Sequence, residues 1–81
     1  MEAVGVIRSF ITSNFYVADP TALGDEASLL DSSIIDSTGV LEVVGFLERN
    51  FAIQVKDEEL LPDNLDSIGK IARYVERKQT T

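Results

Sequence analysis

Apolar residues recur every three or four positions in three stretches of the chain, and each stretch predicts an amphipathic helix. In the first, Glu2 to about Tyr16, the residues Val4, Ile7, Phe10, Ile11 and Phe15 fall on one stripe. Gly5 weakens that helix by about 1 kcal/mol relative to alanine. Pro20 disfavours helical geometry at Asp19, so the helix ends before it. The second stretch runs from Ser37 or Thr38 to Asn50, with Val40, Val43, Val44, Leu47 and Phe51 inward and Glu42, Glu48 and Arg49 toward water. The third begins near Asp66 or Ser67 and buries Ile68, Ile71, Ala72 and Val75, with Tyr74 at its margin. Arg73, Arg77 and Lys78 gather at its C-terminal end, the sign that the helix dipole favours. The closing Gln79-Thr80-Thr81 should fray.

The connections are unequal. Residues 17–36, VADPTALGDEASLLDSSIID, are long for an unstructured loop in a small domain. Leu23, Leu29, Leu30, Ile34 and Ile35 are expected to pin this segment to the core as an ordered loop with a short helical turn. DEELL at 57–61 suits a single turn, with Asp57 as cap and two glutamates near its positive end. Pro62 and Asn64 should then break the chain. Ile53-Gln54-Val55 is too short to build a sheet. The expectation is an all-α single domain over residues 1–81: a small four-helix bundle with three main helices, one short helix and a long first loop.

Composition narrows the chemistry. With 44% hydrophobic residues in 81, there is material for one core but not for a core plus a deep substrate cavity. Cysteine and histidine are both absent, which removes thiolate chemistry, disulfides, the commonest general base and the commonest metal ligand. DPTALGDEASLL lacks the acid spacing of a calcium loop. No metal site and no enzyme activity are expected. No apolar run approaches the roughly 18 residues of a membrane span. MEAVGVIRSF, with an acid at position 2 and Arg8 inside its apolar stretch, does not read as a signal peptide. A complete cytoplasmic monomer is expected.

The net charge of −7 is unevenly spread. Residues 19–66 hold twelve of the fourteen acids against Arg49 and Lys56, whereas residues 67–81 are net basic. An acidic middle repels nucleic acid and anionic lipid and favours basic protein partners. Solubility alone is an equally good use for it.

Ser37, at the start of the second helix, has three possible uses. As a cap it would satisfy orphan N–H groups, but Asp36 could do that alone, and the capping-box partner is missing because Val40 stands three positions on. As a nucleophile it lacks a base: there is no histidine, Lys56 and Lys70 are distant in sequence, and the stretch is not a G-x-S-x-G elbow. As a modification site it would be exposed, with neighbouring N–H groups favouring an attached phosphate.

The segment Leu29–Val75 resembles the acyl carrier protein family of phosphopantetheine-binding carriers, through IIDSTGVLEVVGFLERNFAIQVKDEEL and NLDSIGKIARYV. The matching positions are Asp36, Ser37, Glu42, Glu48, Phe51, Ile53 with Val55, the acidic pair Asp57 and Glu58, and Asp66-Ser67-Ile68. The resemblance implies that Ser37, flanked by Asp36 and Thr38, carries 4′-phosphopantetheine through a phosphodiester. The arm's thiol would hold an acyl or aminoacyl group as a thioester. It also implies that Leu41, Glu42, Glu48, Asp57 and Glu58 meet basic docking surfaces. The partners would be a phosphopantetheinyl transferase, an acyl- or aminoacyl-activating ligase and acyl-using enzymes. Three positions depart from the family: Thr38 replaces a leucine, Gly39 an acid and Gly45 a common methionine. These changes are similar to those of stand-alone carriers working beside a separate activating ligase. Leu41 could equally edge the core, and Phe46 could be core or a half-buried lining. The competing function is an unmodified acidic helical adaptor for basic partners.

Overall fold

Each long helix forms where the three-to-four period of apolar residues runs unbroken. The structure, a computed structural model, describes residues 2–80. It contains α1 (Glu2–Asn14), a 3-10 turn at Pro20–Ala22, α2 (Ser37–Phe51), a second 3-10 turn at Asp57–Glu59, α3 (Pro62–Leu65) and α4 (Ile68–Gln79). There is no strand among the described residues, so the fold is an all-helical bundle with three main helices and one short one. Thr81, the last residue of the tail expected to fray, lies outside the described residues, whereas Gln79 still belongs to α4.

Helix α4 packs on α1, α2 and α3 and supplies more of the core than any other element: Ile68, Ile71, Ala72, Tyr74 and Val75. Ile7 and Ile11 of α1, Val43 and Leu47 of α2, and Leu65 of α3 complete it from the other helices. Tyr74 is not marginal. It is only 2% exposed, and its hydroxyl donates to Glu59 Oε1 at 3.1 Å, which satisfies the one polar atom that would resist burial. Helix α1 stops at Asn14, two residues before Tyr16, whose ring projects into solvent.

The long first connection is tied down along its length. Leu23, Leu29 and Ile35 reach the core, and the 3-10 turn is capped by Asp19, which accepts the Thr21 N–H at 3.1 Å. Arg8 of α1 donates to the Leu23 carbonyl at 2.6 Å and pairs with Asp25. Asp66 holds the next stretch: its carboxylate accepts from Ser28 Oγ at 2.8 Å and from the Leu30 N–H at 3.0 Å, and its carbonyl accepts the Leu29 N–H at 2.6 Å. Gly69 lets the connection approach α4. Its N–H donates to the Asp25 carbonyl at 2.7 Å, and a Cβ there would collide with Glu26.

A single helical turn follows Ser28 and ends at Ser33, which is left-handed at φ 61°. The Ile34 N–H bonds back to the Leu29 carbonyl at 3.0 Å and the Ser33 N–H to the Leu30 carbonyl at 3.1 Å, the paired bonds of a Schellman ending. This turn points Leu29 inward and leaves Leu30 40% exposed, so Leu30 does not pin the loop to the core as its apolar character suggests.

The region before α4 also departs from the sequence expectation. Asp57 is not the cap of its turn, because Glu59 reaches back and accepts the Lys56 N–H at 3.0 Å. Pro62 does not break the chain; it opens α3 at the first helical position, where its missing N–H would have had no helical partner. Asn64 sits within that helix, donating to the Glu59 carbonyl at 2.9 Å and accepting from Arg77 at 2.9 Å.

Candidate functional site

The start of α2 assigns different work to Asp36 and Ser37. Asp36 is the extended residue before the helix, and its Oδ1 accepts the Gly39 N–H at 2.7 Å. The capping role therefore belongs to Asp36. Ser37 is the first residue of α2, is exposed, and its hydroxyl has no hydrogen-bond partner among the described residues. Thr38 is exposed beside it.

Gly39 explains one departure from the expected pattern. It is buried, and a Cβ there would lie 2.9 Å from Phe15 Cε1 and 3.2 Å from Ile35 Cγ2. The first turn of α2 is pressed against the end of α1, leaving no room for an acidic side chain. Gly45 differs: a Cβ would meet only Arg49 Nη1, at 3.3 Å, the movable end of a long side chain.

Ser37 opens on a cleft of about 310 Å³ lined by Leu30, Val40, Leu41, Leu60, Leu61, Pro62 and Leu65. Apart from the hydroxyl, every lining side chain is hydrocarbon. Leu41 is 62% exposed, Leu61 51% and Leu30 40%, so three large apolar residues stand in or near solvent around one hydroxyl. Leu41 is thus a surface residue of α2. Leu60, Leu61, Pro62 and Leu65, one side of the cleft, are the site residues that sequence reasoning missed. The signal was the LLP run directly after the acidic turn, apolar beyond what a single turn can bury.

Phe46 belongs to the other side of α2. It is half-buried, stacked on Phe10 with ring centroids 4.0 Å apart and edge-on to Phe51 at 6.3 Å. This aromatic contact closes α2 against α1, away from the cleft's lining residues.

The acids divide into those consumed by the fold and those left outward. Glu48 does not simply face water; it is half-buried and accepts the Val55 N–H at 3.0 Å. Glu26 takes two bonds from Arg73, at 2.9 and 3.0 Å, and this pairing holds its carboxyl below the usual range. Glu59 accepts from the Lys56 N–H, from Lys78 Nζ at 2.9 Å and from the Tyr74 hydroxyl. These bonds hold its carboxyl down to about 2, the backbone N–H contributing most. Glu42, Asp57 and Glu58 are exposed, and their carboxylates have no hydrogen-bond or ion-pair partner among the described residues. Among the described residues, no three potential metal ligands come together, and no helix is long and apolar enough to cross a membrane.

No protein-family model matches the chain. Individual proteins do. An acyl carrier protein of Bdellovibrio bacteriovorus is 32% identical over 60 residues, covering 74% of each chain. The chain belongs to the acyl carrier protein family. An acyl carrier protein of Thermotoga maritima is 29% identical over 77 residues, which span 95% of this chain and 91% of that one. Another, from Wolinella succinogenes, is 31% identical over 58 residues, 72% of this chain and 74% of its own. Membership gives Ser37 its context. Within this family member, the Ser37 hydroxyl is free of the capping bond that Asp36 takes and is exposed beside an apolar cleft.

Proposed function

We propose that this chain is a carrier that holds an acyl or aminoacyl group as a thioester on 4′-phosphopantetheine joined to Ser37 Oγ, and presents it to partner enzymes. The observation that supports this most is the division of labour at the start of α2. Asp36 caps the helix, so the Ser37 hydroxyl is exposed and unbonded. The residues present fit the arm. A phosphodiester on Ser37 Oγ would sit at the N-terminal turn of a fifteen-residue helix, where N–H groups and the dipole favour negative charge. When attached, the arm supplies the thiol that a chain without cysteine lacks. The hydrocarbon cleft beside Ser37 offers shelter for an apolar chain.

In this reading the outward carboxylates of Glu42, Asp57 and Glu58, with the Leu41 side chain, meet a basic rim and an apolar pocket on the transferase, the ligase and acyl-using enzymes. Glu48, bound to Val55, would contribute field more than contact. The carrier would itself catalyse nothing, working as a cytoplasmic monomer beside a separate activating ligase.

The test is intact mass after incubation with a phosphopantetheinyl transferase and coenzyme A. One arm mass should be added to the protein and none to Ser37→Ala. An unchanged mass, or an adduct that persists in Ser37→Ala, overturns the reading.

A further inference from the structure

The two walls of the Ser37 cleft are held in different ways. On one side Val40 and Leu41 belong to α2, a helix locked into the core by Val43 and Leu47. On the other side Leu60, Leu61, Pro62 and Leu65 belong to a short turn-and-helix segment. That segment meets α2 across the cleft with hydrocarbon alone. Its polar side-chain fastenings at the Glu59 end run the other way, to α4, while Asp66 at its far end is tied to the first connection.

Glu59 is the centre of those fastenings. Its Oε1 accepts from Lys78 Nζ at 2.9 Å and from the Tyr74 hydroxyl at 3.1 Å, both on α4, and from the Lys56 N–H at the start of the same segment. Lys78 also reaches Glu59 Oε2 at 3.2 Å. The Glu59 carbonyl accepts from Asn64, which in turn accepts from Arg77 of α4. Glu59 immediately precedes Leu60, the first cleft residue of that wall. Lys78 and Glu59 are both substantially covered, with side chains 20% and 25% exposed, so this pair is less screened than the surface pair of Glu26 and Arg73.

We propose that Glu59 sets the length of acyl chain the carrier accepts, by fastening the Leu60–Leu65 wall to Tyr74 and Lys78 of α4 and so fixing the gap between that wall and α2. Glu59 is a positioning residue: it lines no part of the cleft and touches no cargo. The inference rests on the reading that Ser37 bears the arm. A chain entering the cleft gains by leaving water until the fixed wall stops it; further methylenes then stay in solvent and add nothing. Loosening the fastening lets the wall yield, and the gain continues to longer chains.

The experiment loads the protein with saturated acyl arms of increasing length, using a phosphopantetheinyl transferase and acyl-coenzyme A. It reads Tm relative to the protein bearing the free arm. Wild type should gain Tm with length and then level off. In Glu59→Gln, which removes the ion pair, and Tyr74→Phe, which removes one hydroxyl and keeps the ring, the levelling point should move about two or more methylenes further. Glu26→Gln, which loosens the first connection and leaves the wall untouched, should level off with wild type. A levelling point that neither variant moves, or that Glu26→Gln moves as far, overturns the inference. Intact mass separates the two ideas. Failure to add any arm overturns the Ser37 reading and this inference with it, whereas normal loading with an unmoved levelling point overturns this inference alone.

Discussion

Asp36 caps the helix that Ser37 begins, its Oδ1 accepting the Gly39 N–H at 2.7 Å while the neighbouring hydroxyl stays unbonded. The two residues should therefore separate cleanly in stability measurements. Asp36→Ala loses the cap and should cost about 0.5–2 kcal/mol in urea denaturation. Ser37→Ala should fall within about 0.5 kcal/mol of wild type. A reversed order would return the capping role to the serine.

The glycines of α2 should respond in opposite directions to alanine. At position 45 a methyl group meets only the end of Arg49, so Gly45→Ala should stabilise by up to about 1 kcal/mol through helix propensity. At position 39 it meets the Phe15 ring and Ile35, and Gly39→Ala should cost about 1–3 kcal/mol through overpacking. Thermal melts of the two variants decide this.

How much of this was legible beforehand follows from which contacts are local. The period of three and four predicts α1, α2 and α4 because the residues that define each stripe lie within one helix. Tyr74 reads as marginal because its acceptor, Glu59, is fifteen positions away in sequence and invisible to a helical period. Glu48 reads as a water-facing acid because nothing local says that the chain turns back after the left-handed Ala52 and offers it the Val55 N–H. Leu30 reads as core on apolar character alone. Its exposure depends on the turn ended by Ser33 and on Asp66, thirty-six positions on. Ser37 was legible as a candidate from its motif. The Leu60–Leu65 side of its cleft was not, since that wall exists only once α3 is brought up to α2.

Acid should find Glu59. Its carboxyl is held near 2 in the folded chain against an ordinary 4.5, so it binds a proton more readily when unfolded. Its stabilising contribution is present above about 4.5 and is lost as pH falls from there toward 2. The stability difference between wild type and Glu59→Gln should shrink through that window. Tyr74 has the opposite sign: burial first, then the bond to Glu59, push it up to about 12, so its contribution is present below 10 and fades as pH rises toward 12. Tyr74→Phe should lose less stability than wild type across the alkaline window.

The outward acids should act on rate more than on fold. Asp57→Lys with Glu58→Lys should leave the melting curve close to that of wild type while slowing arm transfer by about tenfold at low salt, the lower end of electrostatic steering. The difference should narrow as salt is raised. Equal rates for the two proteins at low salt would remove these carboxylates from the docking surface.

The contact of Gly39 with Phe15 and Ile35 has a consequence for delivery. The backbone bearing the hydroxyl is wedged against the end of another helix, a fixed post instead of a swinging gate. If Ser37 bears the proposed arm, whatever travels between active sites must do so on the tether's own reach, and each client enzyme would have to bring its catalytic centre within one tether's length of that post. Slow amide exchange at Gly39 and Val40, unchanged by loading, is the mark such a mounting would leave.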